Sequence, residues 1–354
     1  MAEYPAHLAR EHHWPLPQIG SMDLQAKVAC LSRPEIYPER PAAVEVVQTH
    51  MSFVFLTGSH AYKLKKPVRY HFLDFSTLEA RYRDCQEEVR LNRRLARDVY
   101  LGVVPLTFAP QGGLRLGGDG EPVEWLVQMR QLPKRLMLDS AIRGGVVSEE
   151  DIRRFTLVLA DFYRRSEPVP IGAEEYRQRF QRDIRDNHRE LSHPDYTMPR
   201  AALETVIGAE FAFLEKDAGL FDERVRQRRI IEGHGDLRPE HVCLAPEPVF
   251  IDCLQFNREM RILDPADELG YLALECEFAG APGVGDVVLD TYRQAAGDHP
   301  PGALIHFYQA CRATLRAKVS VWHLKDHLHP AEQVKWTERG RDYLRLAQRH
   351  CEAL

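Results

Sequence analysis

Four polar residues between positions 234 and 252 have types and spacing suited to one kind of chemistry. His234 and Asp236 lie in GHGDLRPEHVCL, His241 follows five residues after that aspartate, and Asp252 ends the next apolar run, VFID. The two short apolar runs, HVCL and VFID, predict a hairpin across which the two carboxylates meet. Phosphoryl transfer from a nucleotide needs one carboxylate near the attacking hydroxyl and another that holds Mg²⁺ on the phosphates. This spacing supplies both.

The region before this segment, from about residue 43 to 132, has the two-residue period of strands. Its apolar runs are AVEVVQ, SFVFL, AYKLK, VVPLTF, GLRLG and WLVQM. They predict an antiparallel five-stranded sheet. One helix over 76–96 interrupts the strands, and Ser76, with Glu79 three residues later, is its expected N-cap.

Beyond Pro133 the sequence changes to long amphipathic stretches, which predict a mostly helical region. The expected helices span 149–165, 174–189, 200–216, 264–279, 287–296, 302–325 and 331–352. The hairpin near residue 240 is the exception within it. An α+β fold in two lobes follows, divided between residues 1–132 and 133–354.

Composition excludes several classes of protein. The 47 basic and 52 acidic residues give a net charge of −5, and the two signs are interleaved, so we expect no nucleic-acid partner. No apolar run reaches the roughly 18 residues that span a membrane. The first twenty residues lack the apolar stretch of a signal peptide, and the seven cysteines form no C-x-x-C pair. These features predict a cytoplasmic protein with no membrane partner.

The motifs together resemble a known family. HGDL, the following ID and the later LDPADELGYLALE are similar to the catalytic motif of aminoglycoside phosphotransferases and related small-molecule kinases. More narrowly, THMSFVFLTG, AYKLKKPV, FLDFSTLEAR, EEVRLNRRL, HGDLRPEHV and IDCLQFN resemble an uncharacterised aminoglycoside-phosphotransferase-like branch that is sometimes fused to a gluconate-kinase-like domain. The resemblance runs from about residue 35 to the end. It implies a protein-kinase-like fold, with 1–132 as the nucleotide-binding lobe and its helical extension, and 133–354 as the helical catalytic and substrate lobe.

The resemblance also implies roles for the residues of the hairpin. Asp236 matches the aspartate that accepts or orients the proton of the substrate hydroxyl, and Asp252 matches the aspartate that holds the metal. His241 stands where the resembled motif has asparagine as a second metal ligand. Because Mg²⁺ prefers oxygen ligands, this departure leaves three alternatives: one metal suffices, Glu240 or a water replaces the asparagine, or the protein binds nucleotide without transferring phosphate.

A lysine that contacts the nucleotide phosphates is expected on the strand AYKLK. Lys63 and Lys65 point to the same face because strand side chains alternate, and Lys63 is preferred since Tyr62 and Leu64 flank it. Its partner on the helix is expected to be Glu88, with Glu87 as the second choice.

The remaining nucleotide contacts follow from position in the chain. Thr49 and Ser52, in the turn QTHMS, are expected to lie over the phosphates with hydroxyls in place of the glycines of a protein-kinase loop. The backbone around Met129 and Gln131, in WLVQMRQLP, is expected to face adenine.

These assignments predict an enzyme that uses ATP or GTP with Mg²⁺ to phosphorylate a hydroxyl of a small molecule. A nucleotide-binding pseudokinase with a scaffold or regulatory role is the alternative, motivated by His241 and the missing glycine-rich loop. Transfer of a nucleotidyl group to protein is a third reading.

Three further groups of residues have a structural interpretation beside a functional one. Asp264 and Asp267 are expected to cap a helix or brace the catalytic loop. The basic face of Arg312, Arg316 and Lys318 either binds an anionic substrate or lies in water. His323, His327 and His329 have the spacing of transition-metal ligands but are favoured as a solvated helix end.

Overall fold

The protein divides into two compact units. The computed structural model describes residues 23–70, 73–110, 112–325 and 329–354. One unit contains the described residues up to Lys134 together with Phe250–Asn257, and the other contains Arg135–Val249 and Arg258–Leu354. The first twenty residues, on which the expectation of no signal peptide rests, lie outside the described residues.

The first unit consists of a sheet, two helices and a small strand pair. Its helices are α1 (Leu24–Leu31) and α2 (Leu78–Asn92). Its strands are β1 (Glu45–Gln48), β2 (Ser52–Leu56), β3 (His60–Lys65), β4 (Arg69–Tyr70), β5 (Leu73–Asp74), β6 (Tyr100–Phe108), β7 (Leu114–Leu116) and β8 (Glu121–Arg130).

The main sheet of the first unit has the strand order β1-β2-β3-β8-β6-β7, and every neighbouring pair is antiparallel. The described residues thus give six strands, and the prediction of five is wrong. Each of the six apolar runs forms one strand, and the run GLRLG forms β7, which pairs with the end of β6. A glycine at φ +90°, Gly113, precedes β7 in the turn, a conformation that suits glycine and lets the chain reverse.

Helix α2 is fixed against the sheet by a buried ion cluster. Glu124 of β8 accepts hydrogen bonds from both Arg81 of α2, at 2.8 Å, and Lys27 of α1, at 2.8 Å. The predicted cap is wrong by one residue, because the Thr77 hydroxyl accepts from the N–H of Ala80. Ser76 instead donates its hydroxyl to Asp74 at 2.6 Å.

The second unit is mainly helical, in agreement with the α+β expectation. Its helices are α3 (Leu138–Arg143), α4 (Glu149–Arg165), α5 (Ala173–Leu191), α6 (Arg200–Lys216), α7 (Ala218–Arg226), α8 (Pro265–Phe278), α9 (Pro282–Ala296), α10 (Gly302–Trp322) and α11 (Pro330–Cys351). The sequence pattern did not predict α3 or α7, which are short. Helix α9 begins five residues before its predicted start because Pro282 occupies its first position, where a missing N–H costs nothing.

Four two-residue strands accompany these helices around the polar segment. They are β9 (Ile231–Glu232), β10 (Val242–Cys243), β11 (Val249–Phe250) and β12 (Ile262–Leu263). β9 pairs antiparallel with β12, and β10 forms a two-stranded sheet with β11. An aromatic core between α5, α7 and α10 contains tilted and edge-on ring pairs among Phe180, Phe221 and Phe307.

Candidate active site

A lysine of β3 and a glutamate of α2 meet inside the first unit. The Nζ of Lys63 donates to Oε1 of Glu88 at 2.9 Å, and the Nζ of Lys65 donates to Oε2 of the same carboxylate at 2.5 Å. Glu88 has no exposed surface. Glu87, the second choice for this partner, forms an ion pair with Arg90 on the surface of the helix.

Asp252 brings a second carboxylate to Lys63. Its Oδ1 accepts from the Nζ of Lys63 at 2.6 Å, and 44% of its side chain is exposed. The backbone at Asp252 is left-handed, with φ +60°, a conformation that is uncommon for residues other than glycine. Two neighbours hold it there: the N–H of Asp252 donates to the Tyr100 hydroxyl at 3.0 Å, and the N–H of Cys253 donates to Oδ1 of Asn92 at 2.8 Å.

Lys63 and Glu88 stabilise each other's ionised forms. Burial alone would lower the pKa of Lys63, but the carboxylates of Asp252 and Glu88 outweigh it and raise that pKa well above its ordinary value. Burial would raise the pKa of Glu88, and the two lysines overcome this and lower it. A permanent ammonium thus lies between two carboxylates, one of which is open to solvent.

Lys65 has a different environment from Lys63, although both lie on one face of β3. Its side chain is 1% exposed, and it pairs with Asp84 at 2.5 Å as well as with Glu88. The Phe75 ring lies 5.4 Å from its Nζ. Lys65 is therefore enclosed, whereas Lys63 is the lysine that reaches Asp252.

The turn before β2 is closed by its own hydrogen bonds. The Thr49 hydroxyl accepts from the N–H of Ser52 at 3.0 Å, and the N–H of Thr49 donates to the Ser52 carbonyl at 2.9 Å. Ser52 is buried. Lys66 also donates to the Thr49 carbonyl at 2.5 Å, which fixes this turn against the end of β3.

Met129 and Gln131 lie at the end of β8. Met129 is buried and pairs in register with Ala61. The N–H of Gln131 donates to the Ser59 carbonyl at 2.9 Å, and its side-chain Oε1 accepts from the N–H of Gly58 at 2.8 Å. Both groups of Gln131 are thus engaged by the turn that precedes β3.

In the second unit, the loop that carries Asp236 is held by a buried carboxylate. Glu268 of α8 accepts from the N–H groups of His234 at 2.8 Å and Gly235 at 2.7 Å, and from the Tyr163 hydroxyl at 2.8 Å. Gly233 approaches so closely that an added Cβ would lie 2.8 Å from Glu268 Oε2. Glycine at this position therefore lets the loop close around the carboxylate.

Asp264 and Asp267 were expected to cap a helix or to brace the catalytic loop, and the cap is confirmed for Asp264. Asp264 caps α8 at the N–H of Ala266 and binds the buried Arg224, while Asp267 forms a two-bond ion pair with Arg312. Position 268 faces the loop because successive helical residues are rotated by about 100°.

Asp236 itself is surrounded by donors. Its Oδ1 accepts from the Tyr271 hydroxyl at 3.2 Å, and its Oδ2 accepts from Arg238 at 3.0 Å. Burial would raise the pKa of Asp236, but the charge of Arg238, together with the neighbouring His241 and Arg316 side chains, outweighs burial and holds that pKa well below its usual range. The carboxylate is ionised at any working pH, and it is suited to accept a hydrogen bond from a hydroxyl.

His241 faces this same loop. Its Nδ1 lies 2.6 Å from the Asp236 carbonyl oxygen and must donate to it, so the lone pair is on Nε2. An Arg238 terminal nitrogen lies 3.3 Å from that Nε2. A guanidinium beside the lone pair opposes a cation there, so His241 does not fit as a magnesium ligand. The exposed carboxylate of Asp252 is an oxygen ligand of the kind that Mg²⁺ prefers, and it does fit.

The other predicted clusters are distributed over the second unit. Arg316 bonds Glu275, and His323 stacks on Trp336 with ring centroids 3.8 Å apart. His329 lies at the N-cap of α11, and His327 lies outside the described residues. Within the described ranges, no three His, Cys, Asp or Glu side chains form a group that could hold a metal ion.

Several residues of the site were not singled out from the sequence. Asp84 pairs with Lys65, and Tyr100 and Asn92 hold the backbone at Asp252 and Cys253. Glu268 holds the loop of Asp236, and Tyr271 bonds Asp236 itself. Asp84 and Asn92 lie four residues to either side of Glu88, so helical spacing could have identified both. The other three are brought in from distant parts of the chain.

No helix in the described part of the chain is long and apolar enough to cross a membrane.

Sequence comparisons find relatives of unassigned activity. An uncharacterized protein of Mycobacterium tuberculosis is 35% identical over 285 residues, which are 78% of this chain and 54% of that protein, and one of Mycobacterium bovis matches equally. The chain spans about half the length of the curated relatives it matches. No protein-family model matches the sequence.

Comparison with solved structures identifies the fold. A choline/ethanolamine kinase family protein from Mesorhizobium loti superposes with a TM-score of 0.51 at 14% identity, over 92% of this chain and 99% of that one. An aminoglycoside phosphotransferase from Streptomyces rimosus gives 0.46 at 18% identity, over 81% and 97%. The chain has the fold of the first of these proteins, and the predicted kinase-like fold is confirmed. The fusion to a gluconate-kinase-like domain stays a prediction.

Proposed function

From this kinase-like fold, we propose that the protein is a nucleotide-dependent phosphotransferase that phosphorylates a hydroxyl of a small molecule. The observation that carries the proposal is the contact of Lys63 with both Glu88 and Asp252. The Lys63 ammonium, fixed by the buried Glu88, suits the negative charge of a triphosphate. The half-exposed Asp252 beside it suits the metal ion that accompanies the triphosphate. Phosphoryl transfer depends mainly on such positioning and neutralisation of charge.

In the nucleotide half of the reaction, Lys63 would bind phosphate oxygens and Asp252 would hold Mg²⁺, an ion that supplies neutralisation of the developing charge on the phosphates. Glu88 keeps Lys63 extended, and Lys65 keeps Glu88 ionised when Lys63 turns to the nucleotide. Thr49 contributes the shape of the turn rather than a free hydroxyl, since that hydroxyl already bonds the Ser52 backbone, and Ser52 itself is buried. Met129 and the carbonyl side of Gln131 remain the predicted adenine contacts.

In the acceptor half, Asp236 accepts a hydrogen bond from the hydroxyl that attacks the phosphate. The depressed pKa of Asp236 makes it a weak base. The ionised Asp236 carboxylate therefore contributes by orienting the substrate hydroxyl. Tyr271 and Arg238 fix the two carboxylate oxygens, and Glu268 fixes the loop.

A second candidate function is nucleotide binding without transfer. The observation in its favour is Arg238, which lies beside the His241 nitrogen where the resembled motif has a metal ligand. Because Asp252 is then the metal-binding side chain, the phosphotransferase proposal requires that one protein carboxylate is enough to hold Mg²⁺.

Two variants test the proposal. Thermal unfolding is measured with ATP, GTP and non-hydrolysable analogues, with and without Mg²⁺. A nucleotide that binds only the folded protein, present at 100 times its dissociation constant, raises the unfolding free energy by about 2.7 kcal/mol. We expect a Mg²⁺-dependent shift that Asp252→Ala removes and Asp236→Asn keeps. The exposed Asp286 of α9, changed to Asn, is the matched control.

Turnover separates the two candidate functions. Nucleotide consumption is followed with pools of hydroxyl compounds, and Asp236→Asn is expected to lower it by about 10²-fold or more. Nucleotide binding with no consumption in any pool favours the binding protein. Full consumption in Asp236→Asn removes the role assigned to that residue.

A further inference from the structure

Two arginines of the second unit converge on the hydrogen-bonded pair of Tyr343 and Glu275. Arg339 of α11 donates to the Tyr343 hydroxyl at 3.2 Å, and that hydroxyl donates to Oε2 of Glu275 at 3.1 Å. The other oxygen of Glu275 accepts from the Nε of Arg316, on α10, at 3.1 Å. Three helices, α8, α10 and α11, thus bring two guanidinium groups together around one carboxylate.

The charges in this cluster do not cancel. Glu275 uses only the Nε of Arg316, and the two terminal nitrogens of Arg316 bond no carboxylate in the described part of the chain. Arg339 has no ion pair with any described residue; it is packed instead by aromatic rings. The cluster therefore carries one net positive charge.

Aromatic rings support both guanidinium groups. The Arg339 guanidinium lies 4.8 Å from the Phe278 ring centre and 5.9 Å from that of Trp336, and the Arg316 guanidinium lies 5.4 Å from the Tyr343 ring. Arg316 is 12% exposed, so one edge still reaches solvent. A cation held by ring faces and shielded from water attracts an anion more strongly than one in solution.

The cluster lies beside the residue that orients the acceptor. Glu275 follows Tyr271 by four residues on α8, one helical turn, and Tyr271 is the residue whose hydroxyl bonds Asp236. The positive charge of Arg316 is also among those that act on the Asp236 carboxylate. A compound with its hydroxyl at Asp236 would extend toward Arg316.

We propose that Arg316 and Arg339 bind an anionic group, a carboxylate or a phosphate, on the acceptor whose hydroxyl Asp236 orients. This inference rests on the proposed function. Guanidinium groups bind both kinds of anion with paired, directional hydrogen bonds. The same cluster disfavours polycationic acceptors, because two arginines would face their ammonium groups.

The experiment measures anion binding directly, apart from turnover. Inorganic phosphate and malonate are titrated by calorimetry into the full chain, first alone and then with a saturating non-hydrolysable nucleotide and Mg²⁺. The variants are Arg339→Gln, Arg339→Lys and Arg316→Gln. Arg345→Gln is the control, since Arg345 lies on the same helix, is 59% exposed and pairs with Asp342. Circular dichroism confirms that each variant is folded.

We expect one anion site that survives nucleotide saturation. Loss of one charge-assisted contact in Arg339→Gln or Arg316→Gln is expected to weaken it by about 10- to 100-fold, while Arg345→Gln changes it less than about twofold. Arg339→Lys is expected to keep part of the affinity. The relative strength of phosphate and malonate identifies the anion.

Turnover gives the second measurement. Glycerol, glycerate, glycerol 3-phosphate and choline are compared as hydroxyl compounds that differ in charge, as substrates and as inhibitors of any acceptor found. The inference is overturned if no anion binds when the nucleotide is saturating. It is also overturned if wild type and Arg339→Gln bind the anion with equal affinity. A chain that binds anions at Arg339 but no nucleotide refutes the proposed function and leaves the anion site standing.

Discussion

A buried carboxyl group in the second unit gives a prediction with a definite size. Glu210 of α6 has no exposed surface, and its Oε1 accepts from the Thr314 hydroxyl at 3.1 Å. Its Oε2 has no hydrogen-bond partner in the described part of the chain, nor has Oδ1 of Asn187, which bonds the same hydroxyl through its Nδ2 at 3.4 Å. An ionised carboxylate is poorly accommodated there.

Burial raises the pKa of Glu210 from its ordinary value of 4.5 to about 8. Since the folded pKa exceeds the unfolded one, the folded protein holds a proton that the unfolded chain releases as pH rises. The contribution of Glu210 to stability is therefore greatest below about pH 4.5, falls as pH rises through about pH 8, and is constant above that. The two pKa values give a loss of about 3.5 kcal/mol between pH 5 and pH 8.

The variant Glu210→Gln removes this titration but keeps an oxygen acceptor for Thr314 and adds a neutral donor. We expect the difference in unfolding free energy between Glu210→Gln and wild type to grow in favour of the variant by about 3 kcal/mol from pH 5 to pH 8. Urea unfolding followed by circular dichroism measures it. Because the two proteins share every other titratable group, the contribution of those groups cancels when the variant is compared with wild type at each pH.

Glu215→Gln is the matched control, because Glu215 is exposed on the same helix. Its unfolding free energy is expected to follow wild type at every pH. If the Glu210→Gln and wild-type curves run parallel from pH 5 to pH 8, Glu210 is already ionised in the folded protein. The burial argument is then refuted.

Three further substitutions test the site. Lys63→Met is expected to weaken nucleotide binding at little cost in stability, because Glu88 keeps Lys65. Lys65→Met leaves the nearly buried Asp84 without a cation and Glu88 with Lys63 alone, and it is expected to cost about 3 kcal/mol or more. Nucleotide titrations and urea unfolding distinguish the two variants, and the reverse order would exchange the two roles. Tyr271→Phe removes one hydrogen bond to Asp236 and is expected to lower turnover by about 3- to 30-fold with nucleotide affinity unchanged, as measured by steady-state kinetics. An unchanged turnover number would show that this bond does not position Asp236.

Much of the local structure could be predicted from the sequence. Helix α4 was predicted at its observed bounds, Glu149–Arg165, because a strong amphipathic period begins directly after a capping serine. The face shared by Lys63 and Lys65 followed from strand alternation, and the choice of Glu88 over Glu87 followed from helical rotation. These are properties of neighbouring residues, which the order of the chain specifies.

The tertiary structure decided which residue completes each contact. The sequence favoured Lys63 over Lys65 only by its flanking residues. The approach of Asp252, 189 positions from Lys63, and the enclosure of Lys65 beside Asp84 are what give the two lysines different environments. Likewise, the acid that holds the Asp236 loop proved to be Glu268, because the direction of a helix relative to a loop depends on packing. Local periodicity is set by covalent geometry, whereas contacts between distant residues depend on how the whole core packs, and a single sequence does not display that.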